Sequence, residues 1–514
     1  ALPTNRATVV SDTSVDQDSF VVTVTELKPV ITVANGELLV NGEAFFIRGI
    51  GYEAGCRPGE LPWKRQFDSE VLAYDFSAIR AAGFNTIRTW APLTDDELRL
   101  ARAHGLWVIQ GLGLDWSRFW GDPVYQRQSL LQVGREVRRG ARHPNILYYL
   151  VMNEPSLEKV LTTGLDEVDR GFRLLQQASR AADSTALLSF SNFNAVDFLD
   201  TATWDVVSFN SYPYFSETVR SVLGYRGYTE WLARRSWPRA FVTSEFGLSV
   251  SPDGPGRWGY GGNTLQEQAE GVGSMYRWIA MSGAVGACPF MWVDGWWKSG
   301  NENAHSSHPE EWFGLNEVTL EDRLGKPRPV VAELAEANRL LLLSPAPGDV
   351  VTPRTRVRVV ATAEPPEARF AGGEWISLRS RGFEQWEGEI ETTGSGLGTI
   401  ELRAGARSLA VPVMIGAING PPGDVQVTLA QDHVEAGTPV MVRVRVHDFT
   451  GRSLGSRPVY VCLYNYRSNA STLRSLSVDA SGEARFELRT LGYDGVYGIA
   501  AGVDIATGES VRRI

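Results

Sequence analysis

Three stretches of this chain repeat one order: a helical apolar face, a glycine, then a short apolar strand. In YDFSAIRAAGFNTIRTW, Tyr74 to Trp90, Phe76 and Ile79 share a helical face and Gly83 can take the left-handed conformation that ends a helix. A strand follows at once. LRLARAHGLWVIQGLG repeats the order at Gly105, and YRWIAMSGAVGACPFMW repeats it near Gly283 and Gly286. Strands separated by helices in this way pair in parallel through right-handed crossovers.

Eight such strands are expected, near Phe45 to Gly51, Asn85 to Trp90, Trp107 to Gly111, Ile146 to Met152, Leu187 to Ser191, Val206 to Asn210, Ala240 to Ser244 and Gly286 to Trp292. Eight strands within residues 31–343 fit a (β/α)8 TIM barrel. A doubly wound sheet competes, because GIGYEA (Gly49 to Ala54) matches a loose dinucleotide spacing. The GCRPGELPW that follows it is too rich in Gly and Pro to open the helix that a phosphate site needs.

After Leu343 the period changes to two, with Val357 and Val359 set against Arg356 and Arg358. Residues 344–417 are expected to form an immunoglobulin-like β-sandwich, and 418–514, entered through the NGPPGD linker, a second one. Residues 1–30 form an irregular polar extension of the kind often found at the start of a processed exported chain, so a secreted or cell-surface location is expected. Asn469-Ala470-Ser471 matches a glycosylation sequon, a tripeptide common by chance.

Composition removes several function classes. The formal net charge of -10 and the lack of a long Lys/Arg run argue against nucleic acid as a partner. No apolar run is long enough to span a membrane. Cys56, Cys288 and Cys462 are far apart and odd in number, so neither a disulfide framework nor a zinc site is indicated. His305 and His308, with Glu302 nearby, have a spacing that metal ligands use, but a polar loop of this kind is ordinarily solvated. No metal or other cofactor is expected, and the oligomeric state is open.

The chemistry is concentrated at strand ends. In a (β/α)8 barrel the C-terminal ends of the strands face one rim, where catalytic groups sit. Glu154 follows the fourth strand in LYYLVMNEPS, and Glu245 follows the seventh in RAFVTSEFG. Two facing carboxylates in different surroundings can divide acid and nucleophile roles. A single Glu after a strand is more often a solvated loop residue; two on one rim are a more specific pattern.

NEP at Asn153 to Pro155, SEFG at Ser244 to Gly247, GFNTIRTW at Gly83 to Trp90, FNSYPY at Phe209 to Tyr214 and MW at Met291 to Trp292 stand in order along the strands. Over roughly Gly36 to Leu342 they resemble the clan A retaining glycoside hydrolases. NGEAFFIRGIGYE and RHPNILYYLVMNEPS are most similar to family 2, with family 5 a close second.

The resemblance implies Glu154 as general acid/base, Glu245 as nucleophile and Asn153 as a donor to the substrate 2-hydroxyl. It implies that Arg88 keeps the nucleophile ionised, that Tyr212 orients Glu245, with Tyr214 as a rival, and that Trp292 floors the sugar site. Asn210, at the end of strand six, is expected among the substrate contacts. So are Asp115 and Trp116, which stand after strand three where a histidine would be welcome, and Trp296 among several rim tryptophans. The expected partner is a β-linked saccharide, cleaved by a retaining hydrolase. The alternatives are a transglycosylase using the same residues and a non-catalytic carbohydrate-binding surface protein.

Overall fold

Eight parallel strands close into a barrel, in chain order Ile47–Gly51, Thr86–Arg88, Trp107–Gly111, Ile146–Asn153, Leu188–Phe193, Val206–Asn210, Ala240–Phe246 and Gly286–Pro289. The computed structural model describes residues 28–502 except 215–223, 363, 416–421, 432–433, 436, 449–452, 454, 456–457, 467–470 and 490–495. Most of the polar N-terminal extension and Asn469 of the sequon lie outside those residues. Two strands end earlier than the apolar runs suggest: the second stops at Arg88 and the eighth at Pro289, so Trp90 and Trp292 stand beyond the sheet, at the rim.

The helix-ending glycines act as their position requires. Gly83 has φ 85° and Gly105 φ 71°, a region open to glycine at no steric cost, so each helix can stop and the chain can turn straight into the next strand. Helix Ser69–Ala81 starts on the Asp68 side chain, which accepts from Val71 N–H, and buries Leu72, Phe76 and Ile79 against the barrel. Helices Asp95–Ala103 and Leu265–Met281 start on reciprocal capping boxes, Thr94 with Glu97 and Thr264 with Glu267.

Residues 31–44 do not belong to the barrel wall. Ile31–Ala34, Glu37–Val40 and Glu43–Ala44 form an antiparallel sheet turned at Asn35-Gly36 and Asn41-Gly42, all four at positive φ. Asn-Gly is the strongest short hairpin signal because both central residues of the tight turn need positive φ. At the other end of the barrel segment, Leu340–Ser344 pairs with Arg354–Ala361 and opens the next unit.

That unit packs a four-stranded sheet (Leu340–Ser344, Arg354–Ala361, Gln385–Glu391, Arg379–Gly382) on a five-stranded one that includes Gly396–Ala404 and Arg407–Ile415. Val357, Val359, Ile390, Ile400, Leu402 and Val413 share its core. A second pair of three-stranded sheets, with Val440–Asp448 and Pro458–Asn465 as central strands, encloses Val442, Val444, Val446, Val459 and Val461. Among the described residues no helix is long and apolar enough to cross a membrane.

Both sandwiches are docked on the barrel. Phe383 meets Phe45 edge-on at 5.0 Å and Trp107 at 6.3 Å, Arg48 pairs with Glu384, and Glu37 is held by Arg358 and Arg381, each at 2.6 Å. Phe45 and Trp107 lie where the first and third strands begin, so this unit covers the end of the barrel opposite the rim at which the strands end. The last unit places Tyr466 against Phe198 and bonds its hydroxyl to buried Asp197, which also accepts from Tyr228 at 2.8 Å.

Candidate active site

The two glutamates singled out in the sequence meet at the rim. Glu154 follows the last residue of the fourth strand, with φ 45° and its N–H donating to Ser191 O at 2.9 Å. A left-handed conformation costs a side-chain-bearing residue ~1–2 kcal/mol, and strain of this kind persists only where the surroundings over-determine it. Its Oε1 accepts one bond, from Asn210 Nδ2 at 2.8 Å. Burial, and after it the charge of Glu245, push the Glu154 carboxyl well above the usual range, against the opposing pull of Asn210.

Glu245 has other company. Its Oε1 takes Trp90 Nε1–H at 2.8 Å and Arg88 Nη2 at 2.9 Å, and its Oε2 takes the Tyr212 hydroxyl at 2.9 Å. Three donors, two from the end of the second strand and one from just after the sixth, fix both oxygens. Tyr212 donates as a neutral phenol, since burial and then the charge of Glu245 push its hydroxyl well above the normal value. Tyr212, not Tyr214, reaches Glu245; the Tyr214 ring lies tilted between Tyr212 at 5.7 Å and Tyr260 at 5.4 Å.

Arg88 is the hub. It is fully buried, its guanidinium lies 4.0 Å above the Trp90 ring, and its Nη2 also donates to Asn153 Oδ1 at 2.5 Å and Ser191 Oγ at 3.2 Å. Asn153 Oδ1 receives a second donor, Asn210 Nδ2, at 3.2 Å. Two donors aimed at one end of the Asn153 amide identify that end as oxygen. Its NH2 end has no protein partner among the described residues. Asn210 is fixed in turn, because Ser244 Oγ donates to its Oδ1 at 2.8 Å and lies 3.2 Å from Ser191 Oγ.

The remaining expected contacts make no hydrogen bond to this cluster among the described residues. The Trp292 indole is 2% exposed and donates to Asp75 Oδ1 at 3.0 Å, so its edge is turned to helix Ser69–Ala81. Asp115 caps the short helix Trp116–Phe119, its Oδ1 accepting from Ser117 and Arg118 N–H, and Trp116 packs half-buried on the barrel core. A polar residue after a strand serves a helix N-terminus as readily as a ligand, and here Oδ1 serves the helix. Trp296 stacks on His305 at 4.6 Å, with Trp312 on the other side at 3.6 Å. His308 caps Glu310, and no group of three or more metal-ligating side chains occurs among the described residues.

Trp90, which donates to Glu245, carries no signal of that role in GFNTIRTW beyond its position. That position is two residues after Arg88. Ser191 and Ser244 likewise carry none, being small polar residues inside apolar strands whose role depends on which strands face each other.

Residues 31–257 match the family described as glycosyl hydrolases family 2, TIM barrel domain. Among curated proteins the chain is similar to β-glucuronidase of Rattus norvegicus, 29% identical over 188 residues covering 35% of this chain and 27% of that one. It is also similar to β-glucuronidase of Mus musculus, 29% identical over 237 residues, 43% of this chain and 34% of that one. The chain thus spans about a third or less of these relatives' length. A solved β-D-glucuronidase structure from Dictyoglomus thermophilum aligns at TM-score 0.48 and 20% identity, over 60% of this chain and 53% of that one. Of the two families the sequence resembles, the barrel matches family 2, and the match supports a glycoside hydrolase enzyme.

Proposed function

We propose that this chain is a retaining glycoside hydrolase that cleaves a β-glycosidic bond by double displacement. The observation that carries this reading is the unequal company of the two carboxyls. Glu245 is gripped on both oxygens by Arg88, Trp90 and Tyr212, which compensates its charge and aims it. Glu154 has one amide donor and a buried setting that favours its protonated form. Two carboxyls in surroundings that separate their proton affinities are the usual mark of an acid and a nucleophile.

Glu154 protonates the glycosidic oxygen while Glu245 attacks the anomeric carbon, and the aglycone leaves. Glu154, now ionised, takes a proton from water as the water displaces Glu245 from the anomeric carbon. The unpaired Asn153 NH2 suits a hydrogen bond to the sugar 2-hydroxyl. Two inversions retain the anomeric configuration, so 1H NMR of the first-formed sugar is expected to show the β-anomer; an α-anomer excludes the retaining route.

The acid must carry its proton, so kcat is expected to fall as pH rises through the Glu154 pKa, at a pH well above that of a free carboxyl. The Asn210 bond favours the ionised form, and Asn210→Ala should therefore move this alkaline limb to higher pH. It should also cost about 10-fold in kcat/KM, the worth of a hydrogen bond to a charged group. A limb that moves to lower pH contradicts the acid assignment.

The same reading makes the two sandwiches immunoglobulin-like packing units on an exported enzyme. Their docked faces support the packing role. So do their two tryptophans, since Trp375 is flanked by Arg369 and Arg403 and the Trp386 indole donates to Ala361 O at 3.2 Å. Fractionation of the native host tests the export.

A further inference from the structure

Glu53 stands two residues beyond the first barrel strand and is 8% exposed. Its carboxylate has no hydrogen-bond or ion-pair partner among the described residues, and neither of its oxygens is among the sealed polar atoms. The small surface it keeps therefore includes both carboxylate oxygens. A buried acid without a donor is costly, and proteins retain one where a ligand or water supplies the donors.

It shares a neighbour with the catalytic pair, since the Arg88 guanidinium that holds Glu245 also acts on Glu53. Tyr52 N–H, just before it, bonds Arg88 O at 2.8 Å, and Trp292 N–H bonds Gly51 O at 2.8 Å. The Lys298 ammonium lies 4.4 Å from the Phe290 ring, which packs edge-on at 5.2 Å against the Trp90 ring whose N–H holds Glu245.

The charges around Glu53 do not balance. The cations acting on it are Arg65, Arg88 and Lys298. Each already has its own carboxylate: Arg65 grips Glu97 at 2.8 and 2.9 Å, Arg88 holds Glu245 at 2.9 Å, and Lys298 meets Glu310 at 3.1 Å. With three cations matched to three acids, Glu53 and Glu154 are left over. Burial pushes the Glu53 carboxyl up to about 7 in spite of those cations.

We propose that Glu53 is a specificity-determining residue, accepting hydrogen bonds from ring hydroxyls of a neutral sugar seated against Glu245 and excluding a uronic acid from that seat. The proposal rests on the hydrolase reading above and names its substrate class. Hydroxyls are donors that supply what the carboxylate lacks without adding charge. A uronate brings a second negative charge into a low-dielectric opening where no cation acting on Glu53 is unmatched. A site built to bond a hydroxyl also rejects strongly any ligand that leaves its buried acceptor unpaired.

The test uses the whole chain with p-nitrophenyl β-glycosides of gluco, galacto, manno and glucurono configuration. The expected result is that at least one neutral glycoside exceeds the glucuronide about 100-fold in kcat/KM. Glu53→Gln, which keeps the shape and removes the charge, is expected to lower kcat/KM on that neutral substrate about 100-fold and to narrow its lead over the glucuronide at least 10-fold. Glu53→Ala should lose as much on the neutral substrate, with unchanged far-UV circular dichroism showing that both variants are folded. A wild type that prefers the glucuronide, or a selectivity ratio that ignores Glu53→Gln, overturns the proposal while leaving the hydrolase reading standing. Failure of the wild type on every glycoside removes both.

Discussion

Glu245→Ala is expected to lower kcat by about 10⁴-fold or more, the scale on which removal of a covalent nucleophile stops an enzyme. KM should move far less, because the ring contacts supplied by other side chains remain. The substitution does more than delete a reacting atom. Trp90 Nε1 and Tyr212 Oη lose their acceptor, and Arg88, fully buried, loses its carboxylate and keeps Asn153 and Ser191 as hydrogen-bond acceptors among the described residues. Residual turnover carries a second readout. The charge of Glu245 raises the Glu154 pKa, so its removal should shift any remaining alkaline limb to lower pH, opposite to Asn210→Ala. Turnover within about 10-fold of wild type would show that the nucleophile lies elsewhere.

The largest effect on stability is expected from Asp75→Ala, which leaves the Arg57 cation unpaired in the interior. Asp75 is fully buried on helix Ser69–Ala81 and accepts from Arg57 Nη2 at 2.7 Å, Tyr52 Oη at 2.7 Å and Trp292 Nε1 at 3.0 Å. Arg57 is itself 1% exposed. Breaking a buried pair from one side costs about 3–5 kcal/mol, most of it the penalty of the orphaned charge. Denaturant titration of wild type, Asp75→Ala and the double variant Arg57→Met/Asp75→Leu measures it. The double variant should recover part of the loss, since it removes both charges and keeps the volume. A single variant within about 1 kcal/mol of wild type would mean that water reaches Arg57.

Asp75 also shows where reading the chain stops. Its neighbours Phe76 and Ile79 marked the buried face of the helix by their period, but an acid on that face was invisible, because its partners come from residues 18, 23 and 217 positions away. The barrel was legible because its signals are local: a helical face, Gly83 or Gly105 in the left-handed region, a strand. Glu154 and Glu245 were legible because each closes an apolar strand, and strand ends in a barrel share a rim. Asp115 has the same local signature and also caps a helix, so a strand end narrows the candidates without choosing among them. Trp90 and Glu53 needed the closed ring of strands before their neighbours were defined. The hairpins at Asn35-Gly36 and Asn41-Gly42 lie inside the expected barrel segment 31–343 but form a sheet of their own outside its wall, as Asn-Gly pairs between short apolar runs allow.

The docked underside of the barrel bears on any attempt to cut this chain into parts. Phe45 and Trp107 interlock with Phe383, Arg48 with Glu384, and Glu37 with Arg358 and Arg381, so the barrel borrows part of its own base from residues far downstream. The strand Leu340–Ser344, where a cut after the last barrel helix would fall, is hydrogen-bonded into the neighbouring sheet. A graft of the active site into another protein therefore has to carry the chain through Ile415, the end of the strand that completes that neighbour, for its lower surface to arrive covered.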